Sequence, residues 1–314
     1  MKKSNIKEVI LAITYKCNSR CQMCGIWKKT QPEEISLDVV KKIPSNLKNI
    51  NITGGEPFLH QDIVEIVKIL NRKSPNASII ISSNGFAKEL ILSKIREIIK
   101  IKSNIGVAIS IDGLEEIHDR VRGVPSGFKK AISTLEELKK IGVKKLRISF
   151  TLGDYNIDQL RPVYLLSQKI GIEMSLTLVH SGTQYFNTQN FVNKKEKMIE
   201  VLDWLIKQEL SSWNLKRWLR AYYTYGMKIF ILTKQRILPD YSGMEGIFIN
   251  PNGKIFSSDI SEQILGDLKN FDFTKTNELK IKNEKPSWMI CTARTAIKKH
   301  WIKAGFWILK NKFL

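Results

Sequence analysis

The chain has 314 residues, of which 51 are Lys or Arg, 30 are Asp or Glu and four are Cys, giving a formal charge of +21. A chain this long can bury a substantial core in one large domain or in a large and a small one, and four cysteines do not make a disulfide framework. The charge suits an acidic partner such as a phosphate-bearing ligand or an anionic membrane, while lysines scattered along amphipathic segments equally suit solvated helix faces; no nucleic-acid partner is expected. With no run of ~18 apolar residues and no cleavable signal after the short apolar stretch 9–13, a cytoplasmic protein is expected.

The first apolar run, 9–14, reads as a buried strand. It leads into a loop that holds Cys17, Cys21 and Cys24, with three and then two residues between them. Thiolates this close suit a soft metal or a cluster, because one short loop can turn all three sulfurs toward a common centre. Cysteine-rich zinc sites usually draw on two separated pairs, and no second pair exists here. A four-iron four-sulfur cluster normally takes four thiolates, so three would leave one iron open to a small molecule. Spacing alone leaves zinc and cluster both open.

Further along, β-branched runs at 49–53, 78–82, 106–111, 145–152 and 172–179 read as five more buried strands. Between them, apolar residues recurring at three and four predict helices over 36–43, 63–70, 87–101, 127–141 and 157–170. This alternation implies parallel strands with right-handed crossovers, a fold class in which ligands gather at the C-terminal ends of the strands. Polar and glycine-rich residues stand at those ends. Gly54, Gly55 and Glu56 follow strand two, Ser83 and Asn84 strand three, Ser110 and Asp112 strand four, and His180 strand six.

A cysteine triplet of this spacing after strand one, with Gly-Gly-Glu-Pro after strand two, resembles the radical S-adenosylmethionine (SAM) enzymes. The resemblance implies an α/β fold, a partial (β/α)6 TIM-type barrel over about 1–190, with a smaller α+β C-terminal extension. It implies one [4Fe-4S] cluster on Cys17, Cys21 and Cys24 whose open iron meets the amino and carboxylate groups of S-adenosyl-L-methionine. Gly54 and Gly55 would let the backbone approach the methionine part and Glu56 would pair with its ammonium. Ser83 and Asn84 would meet the ribose hydroxyls or the carboxylate, and Ser110 and Asp112 would complete the rim. Arg122, in preference to Arg120, would offer a fork to the SAM carboxylate. His180 would touch adenine or substrate. Met23 departs from the aromatic usual in the family and would serve adenine through its thioether. The plainer readings are a tight turn at Gly-Gly-Glu-Pro, strand-to-helix caps, solvated arginines and a structural histidine.

The texture changes after about 190. Residues 191–240 read as a helical connection, with an amphipathic helix over 194–210 and then Trp213, Trp218, Tyr222, Tyr223, Tyr225 and Phe230 among basic residues. These aromatics suit either a substrate cleft or core packing. Residues 241–295 contain a β-hairpin, 245–249 and 254–257, turned by Asn250-Pro251-Asn252-Gly253. With Gly266-Asp267-Leu268 and Cys291, it resembles the extension called SPASM or twitch, which holds auxiliary clusters in relatives. Tyr241, Ser258 and Ser287 stand where cysteines would be expected, so a scaffold without its clusters is inferred.

The last segment, 296–314, is apolar and carries Lys298, Lys299, Lys303, Lys310 and Lys312. It suits a helix docked on the barrel or one lying on an anionic membrane surface, which would place the protein at a membrane and fit a lipid-linked substrate. A peptide substrate is the other expectation, since relatives with such extensions often modify peptides. An external electron donor, flavodoxin- or ferredoxin-like, would be needed. A non-enzymatic metal-binding protein would need the cysteines but not Gly54, Gly55 and Glu56.

Overall fold

The computed structural model describes residues 4–274 and 286–313; parts of the expected extension (275–285) and of the last segment (314) lie outside the described residues. Six strands appear where the apolar runs predict them: β1 (Glu8–Ala12), β2 (Asn49–Thr53), β3 (Ser78–Ser83), β4 (Gly106–Ser110), β5 (Lys145–Leu152) and β6 (Glu173–Leu178). All are parallel to their neighbours. The helices between them are α1 (Leu37–Val40), α2 (Ile63–Lys73), α3 (Lys88–Ile101), α4 (Glu115–Arg122), α5 (Gly127–Lys140) and α6 (Leu160–Lys169). Period two sorts each strand's side chains. In β5, Ile148, Phe150 and Leu152 are fully buried in the core shared with the helices, while Arg147 and Ser149 line an interior cavity. Ser175 and Thr177 of β6 line that same cavity with Ile10 of β1 and Asn51 of β2. Strands from distant parts of the sheet thus enclose one lumen, the geometry of a partial barrel.

α4 escapes the sequence reading. Of its eight residues, EEIHDRVR, only Ile117 and Val121 are aliphatic, too few to mark an apolar stripe. It ends at Gly123, whose φ of +63° makes the left-handed cap that glycine adopts without strain.

Two long helices follow, α7 (Lys195–Leu210) and α8 (Leu215–Thr233). Tyr222 and Tyr223 of α8 are buried. Tyr223 stacks on Trp288, whose indole N–H donates to the Tyr223 carbonyl at 2.9 Å, and none of the aromatics from 213 to 230 lines either cavity of the barrel. Tyr222 and Tyr225 pack on Trp307 and Tyr223 on Trp288, while Trp213 is exposed.

The predicted hairpin forms as β7 (Gly246–Ile249) and β8 (Lys254–Phe256), antiparallel in the register Phe248↔Phe256 and Ile249↔Ile255, and β9 (Ile264–Asp267) adds to β8. β7 in turn pairs parallel with β1, so among the described residues the hairpin extends the barrel sheet in the order β6-β5-β4-β3-β2-β1-β7-β8-β9. The chain then forms α9 (Ile290–Lys299) and α10 (Trp301–Phe313), parted at His300. α10 docks through Ala304 and Ile308, both buried, and through Trp307, which stacks on Tyr225 of α8 at 4.8 Å. No helix of the described residues is long and apolar enough to cross a membrane.

Candidate active site

The cysteine loop leaves β1 and is held from two sides. Toward β2, the amides of Gly55 and Glu56 donate to the carbonyls of Thr14 and Lys16 at 2.7 and 2.8 Å. Toward α4, the amides of Arg20 and Gln22 donate to the carbonyls of Arg122 and Val121 at 2.9 and 3.0 Å. A Cβ on Gly54 would come within 2.2 Å of the Thr14 carbonyl oxygen, and one on Gly55 within 2.3 Å of that of Lys16. Gly54 also has a φ of +148°. The glycines are therefore required by contact with the cysteine loop, a reason the sequence does not disclose.

Cys17, Cys21 and Cys24 all face one cavity of about 220 Å³, with Gly54, Gly55, Ser83, Asn84 and Arg122 on its other walls. Burial raises the Cys17 thiol to about 12 and the Cys24 thiol to about 11. Both thiols therefore keep their protons at neutral pH, and any metal bound there would have to displace them.

Residues 11–166, from β1 through the cysteine loop to α6, match the family model described as the radical SAM superfamily. The chain carries a radical SAM domain. Over 159 residues it is 28% identical to the sporulation killing factor maturation protein SkfB of Bacillus subtilis, covering 49% of this chain and 37% of that protein. Over 205 residues it is 25% identical to the probable GTP 3',8-cyclase of Sulfurisphaera tokodaii, covering 63% of this chain and 64% of that protein. These matches span about a third to two thirds of the relatives' own length. In fold the chain is similar to native anSMEcpe with bound AdoMet and Cp18Cys peptide, with a TM-score of 0.62 at 16% identity over 97% of this chain and 99% of that one.

Radical SAM domains use a [4Fe-4S] cluster and SAM, and the residues present fit that pair. Three thiols share one cavity, and the fourth cysteine, Cys291, lines the lumen instead. Met23, Ser83, Asn84, Ser110, Arg122 and His180 all line the cysteine cavity. Asp112 and Glu56 do not. Asp112 is fully buried and forms an ion pair with Arg122 at 2.6 Å. Glu56, expected at the SAM ammonium, has a different set of partners. Its fully buried carboxylate accepts from the amide of Phe58 at 3.2 Å, the amide of Asn84 at 2.7 Å and the hydroxyl of Ser83 at 3.0 Å. It props up the loop after β3. Asn84 Nδ2 donates to Asn18 Oδ1 at 2.7 Å and so ties that loop to the cysteines.

A second cavity of about 270 Å³ occupies the barrel lumen and shares Thr53, Ser82, Thr177, His180, Tyr185 and Phe186 with the first. Burial depresses His180 to about 4, and its Nε2 has no partner, so a neutral imidazole stands between the two spaces. Several lumen residues escape the sequence reading. Tyr185 donates to the Gly54 carbonyl at 2.9 Å. Arg294 pairs with Glu8 at 2.6 Å. Asp259, raised by burial to about 6, has one carboxylate oxygen without a partner. Arg147 was detectable as the polar phase of β5, but the others depend on where later loops and α9 fold back.

Proposed function

We propose that this chain is an enzyme that reductively cleaves SAM at a single [4Fe-4S] cluster held by Cys17, Cys21 and Cys24. The observation that carries this reading is the convergence of those three thiols with Gly54 and Gly55 on one cavity inside a radical SAM domain. When bound and reduced by an external flavodoxin- or ferredoxin-like donor, the cluster supplies an electron to the SAM sulfonium, giving methionine and a 5'-deoxyadenosyl radical for hydrogen abstraction.

The chain's own residues position and exclude. Gly54 and Gly55 present backbone to the methionine part of SAM, and Ser83 and Asn84 present polar groups held in place by Glu56. Ser110 and Arg122 complete the polar rim, with Asp112 acting on it through Arg122. Met23 and His180 face the adenine end. The substrate enters the lumen and meets SAM at the shared wall of Thr53, Thr177, His180 and Tyr185. A peptide substrate is supported by SkfB, a maturation protein, and by the peptide bound to anSMEcpe. The hairpin Gly246–Phe256 acts as a SPASM-like scaffold without an auxiliary cluster, since Cys291 alone offers a thiol there.

A second reading places the protein on an anionic membrane, where a lipid-linked substrate would be at hand. It rests on α10, where Ile302, Phe306, Leu309 and Phe313 are more than half exposed and follow one another at helical spacing beside Lys303 and Lys310. Both readings share one test of the chemistry. Anaerobic incubation with SAM and dithionite should yield methionine and 5'-deoxyadenosine, and a reconstituted protein that yields neither would refute the proposed activity.

A further inference from the structure

Arg122 is the one residue of fixed charge among the described residues lining the cysteine cavity. Its exposure is 9%, and that of its partner Asp112 is 0%. Nη2 pairs with one Asp112 oxygen at 2.6 Å, while the other oxygen accepts the Thr151 amide at 2.7 Å. Nη1 donates to the Cys21 sulfur at 3.6 Å, while Nε has no hydrogen-bond partner. The backbone holds both ends of that contact together. The Arg122 carbonyl accepts the Arg20 amide at 2.9 Å and the Ser19 hydroxyl at 3.0 Å, and Ser19 Oγ itself lies 3.0 Å from the Cys21 sulfur. At Gly123, a Cβ would come within 2.6 Å of the Arg20 carbonyl oxygen, so the approach of α4 to the loop is as close as the backbone allows.

An arginine at the end of a surface helix can leave its charge in water at little cost. This one is buried against a carboxylate and aimed at a sulfur. Hydrogen bonds to ligand sulfurs and nearby net charge are what set the potential of an iron-sulfur cluster. Taking up one electron makes the cluster more negative. A cation a few ångströms from a ligand sulfur, out of water, favours that state more than it would at the surface.

On the reading that a cluster occupies this site, we propose that the Asp112–Arg122 pair tunes its reduction potential, with the Arg122 charge raising it so that a one-electron donor of the flavodoxin or ferredoxin class can reduce it. Asp112 is the positioning residue, holding the guanidinium toward Cys21.

The test is a redox titration of the reconstituted full chain, without SAM, followed by electron paramagnetic resonance. Arg122→Gln should bind iron as the parent does but show a more negative midpoint, and Arg122→Lys, which keeps the charge, should lie between them. Arg122→Gln strands the Asp112 carboxylate in the interior, so Asp112→Asn/Arg122→Gln serves as a second neutral variant with no unpaired buried charge. It too should load iron and titrate below the parent. Equal midpoints in the parent and a loaded neutral variant would overturn the proposal, whether or not SAM binding weakens. A double variant that folds but cannot hold iron would also overturn it, by making the pair a support of the loop. A parent that binds no iron would instead refute the cluster reading beneath it.

Discussion

The carboxylate of Glu56 accepts a hydrogen bond from the Asn84 amide at 2.7 Å, across 28 residues of sequence. Through it, the turn after β2 fixes the turn after β3, and both border the cysteine cavity. Burial raises Glu56 from 4.5 to about 7 against the donors that favour its charged form. The folded state therefore holds this proton more tightly than the unfolded chain does. Its contribution to stability is fully present below about pH 4.5 and is lost as the pH rises through about 7.

Glu56→Gln removes that titration. The variant should be less stable than the parent at pH 4.5 because its amide group cannot accept from every donor. The gap should narrow toward pH 8, by about 3 kcal/mol at most. Denaturant melts of both proteins across this range check it. A gap that stays constant or widens with pH would show that Glu56 remains ionised throughout.

Gly55→Ala pushes a methyl against the Lys16 carbonyl oxygen and, at 2.8 Å, the Cys17 Cβ. It should cost about 1–3 kcal/mol, in the range of an overpacked site, and should also displace the first cysteine and lower iron uptake. Gly142→Ala is the control. Its φ of +86° brings a backbone strain that Gly55 does not carry, and no atom lies within 4 Å of the new methyl. That variant should lose about 1–2 kcal/mol and bind iron normally. Equal iron uptake by the two variants would argue against the contact between the Gly55 turn and the cysteine loop.

Much of the barrel was legible because its strands announce themselves twice, as β-branched runs and as a period-two phase. Ile148, Phe150 and Leu152 mark the buried face of β5, and Arg147 and Ser149 the lumen. The cysteines and the double glycine were legible as a motif, but what they touch was not. Nothing near Gly54 predicts that its limiting neighbour is Thr14, and nothing near Glu56 points to Asn84. Those contacts are made by parallel strands joined through long crossovers. α4 was invisible for a different reason, since its charged sequence buries Val121, His118 and Arg122 without an apolar stripe. Among the aromatics from 213 to 230, Tyr222, Tyr223 and Tyr225 pack against Trp288 and Trp307, and Trp213 and Trp218 against Phe313.

The two faces of α10 make opposite predictions. Phe306 is 72% exposed and Ile308 is 4% exposed. Phe306→Asp should change stability by no more than about 0.5 kcal/mol, as surface substitutions usually do. If α10 rests on a membrane, that change should also abolish co-sedimentation with vesicles containing phosphatidylserine, binding that added salt weakens in the parent. Ile308→Asp should instead destabilise the fold by burying an unpaired carboxylate. A parent that never sediments with such vesicles would leave α10 as a docked helix and remove the membrane reading.

The central claim, one cluster that is held by the cysteine loop and cleaves SAM, is tested most directly by measuring iron and 5'-deoxyadenosine on the same anaerobically reconstituted samples. The parent and Cys291→Ala should each hold about four irons per chain, the content of one cubic cluster, and both should cleave SAM. The triple variant Cys17→Ala/Cys21→Ala/Cys24→Ala should hold almost no iron and produce no deoxyadenosine. About eight irons in the parent, with half retained by the triple variant, or deoxyadenosine from the triple variant, would contradict the account.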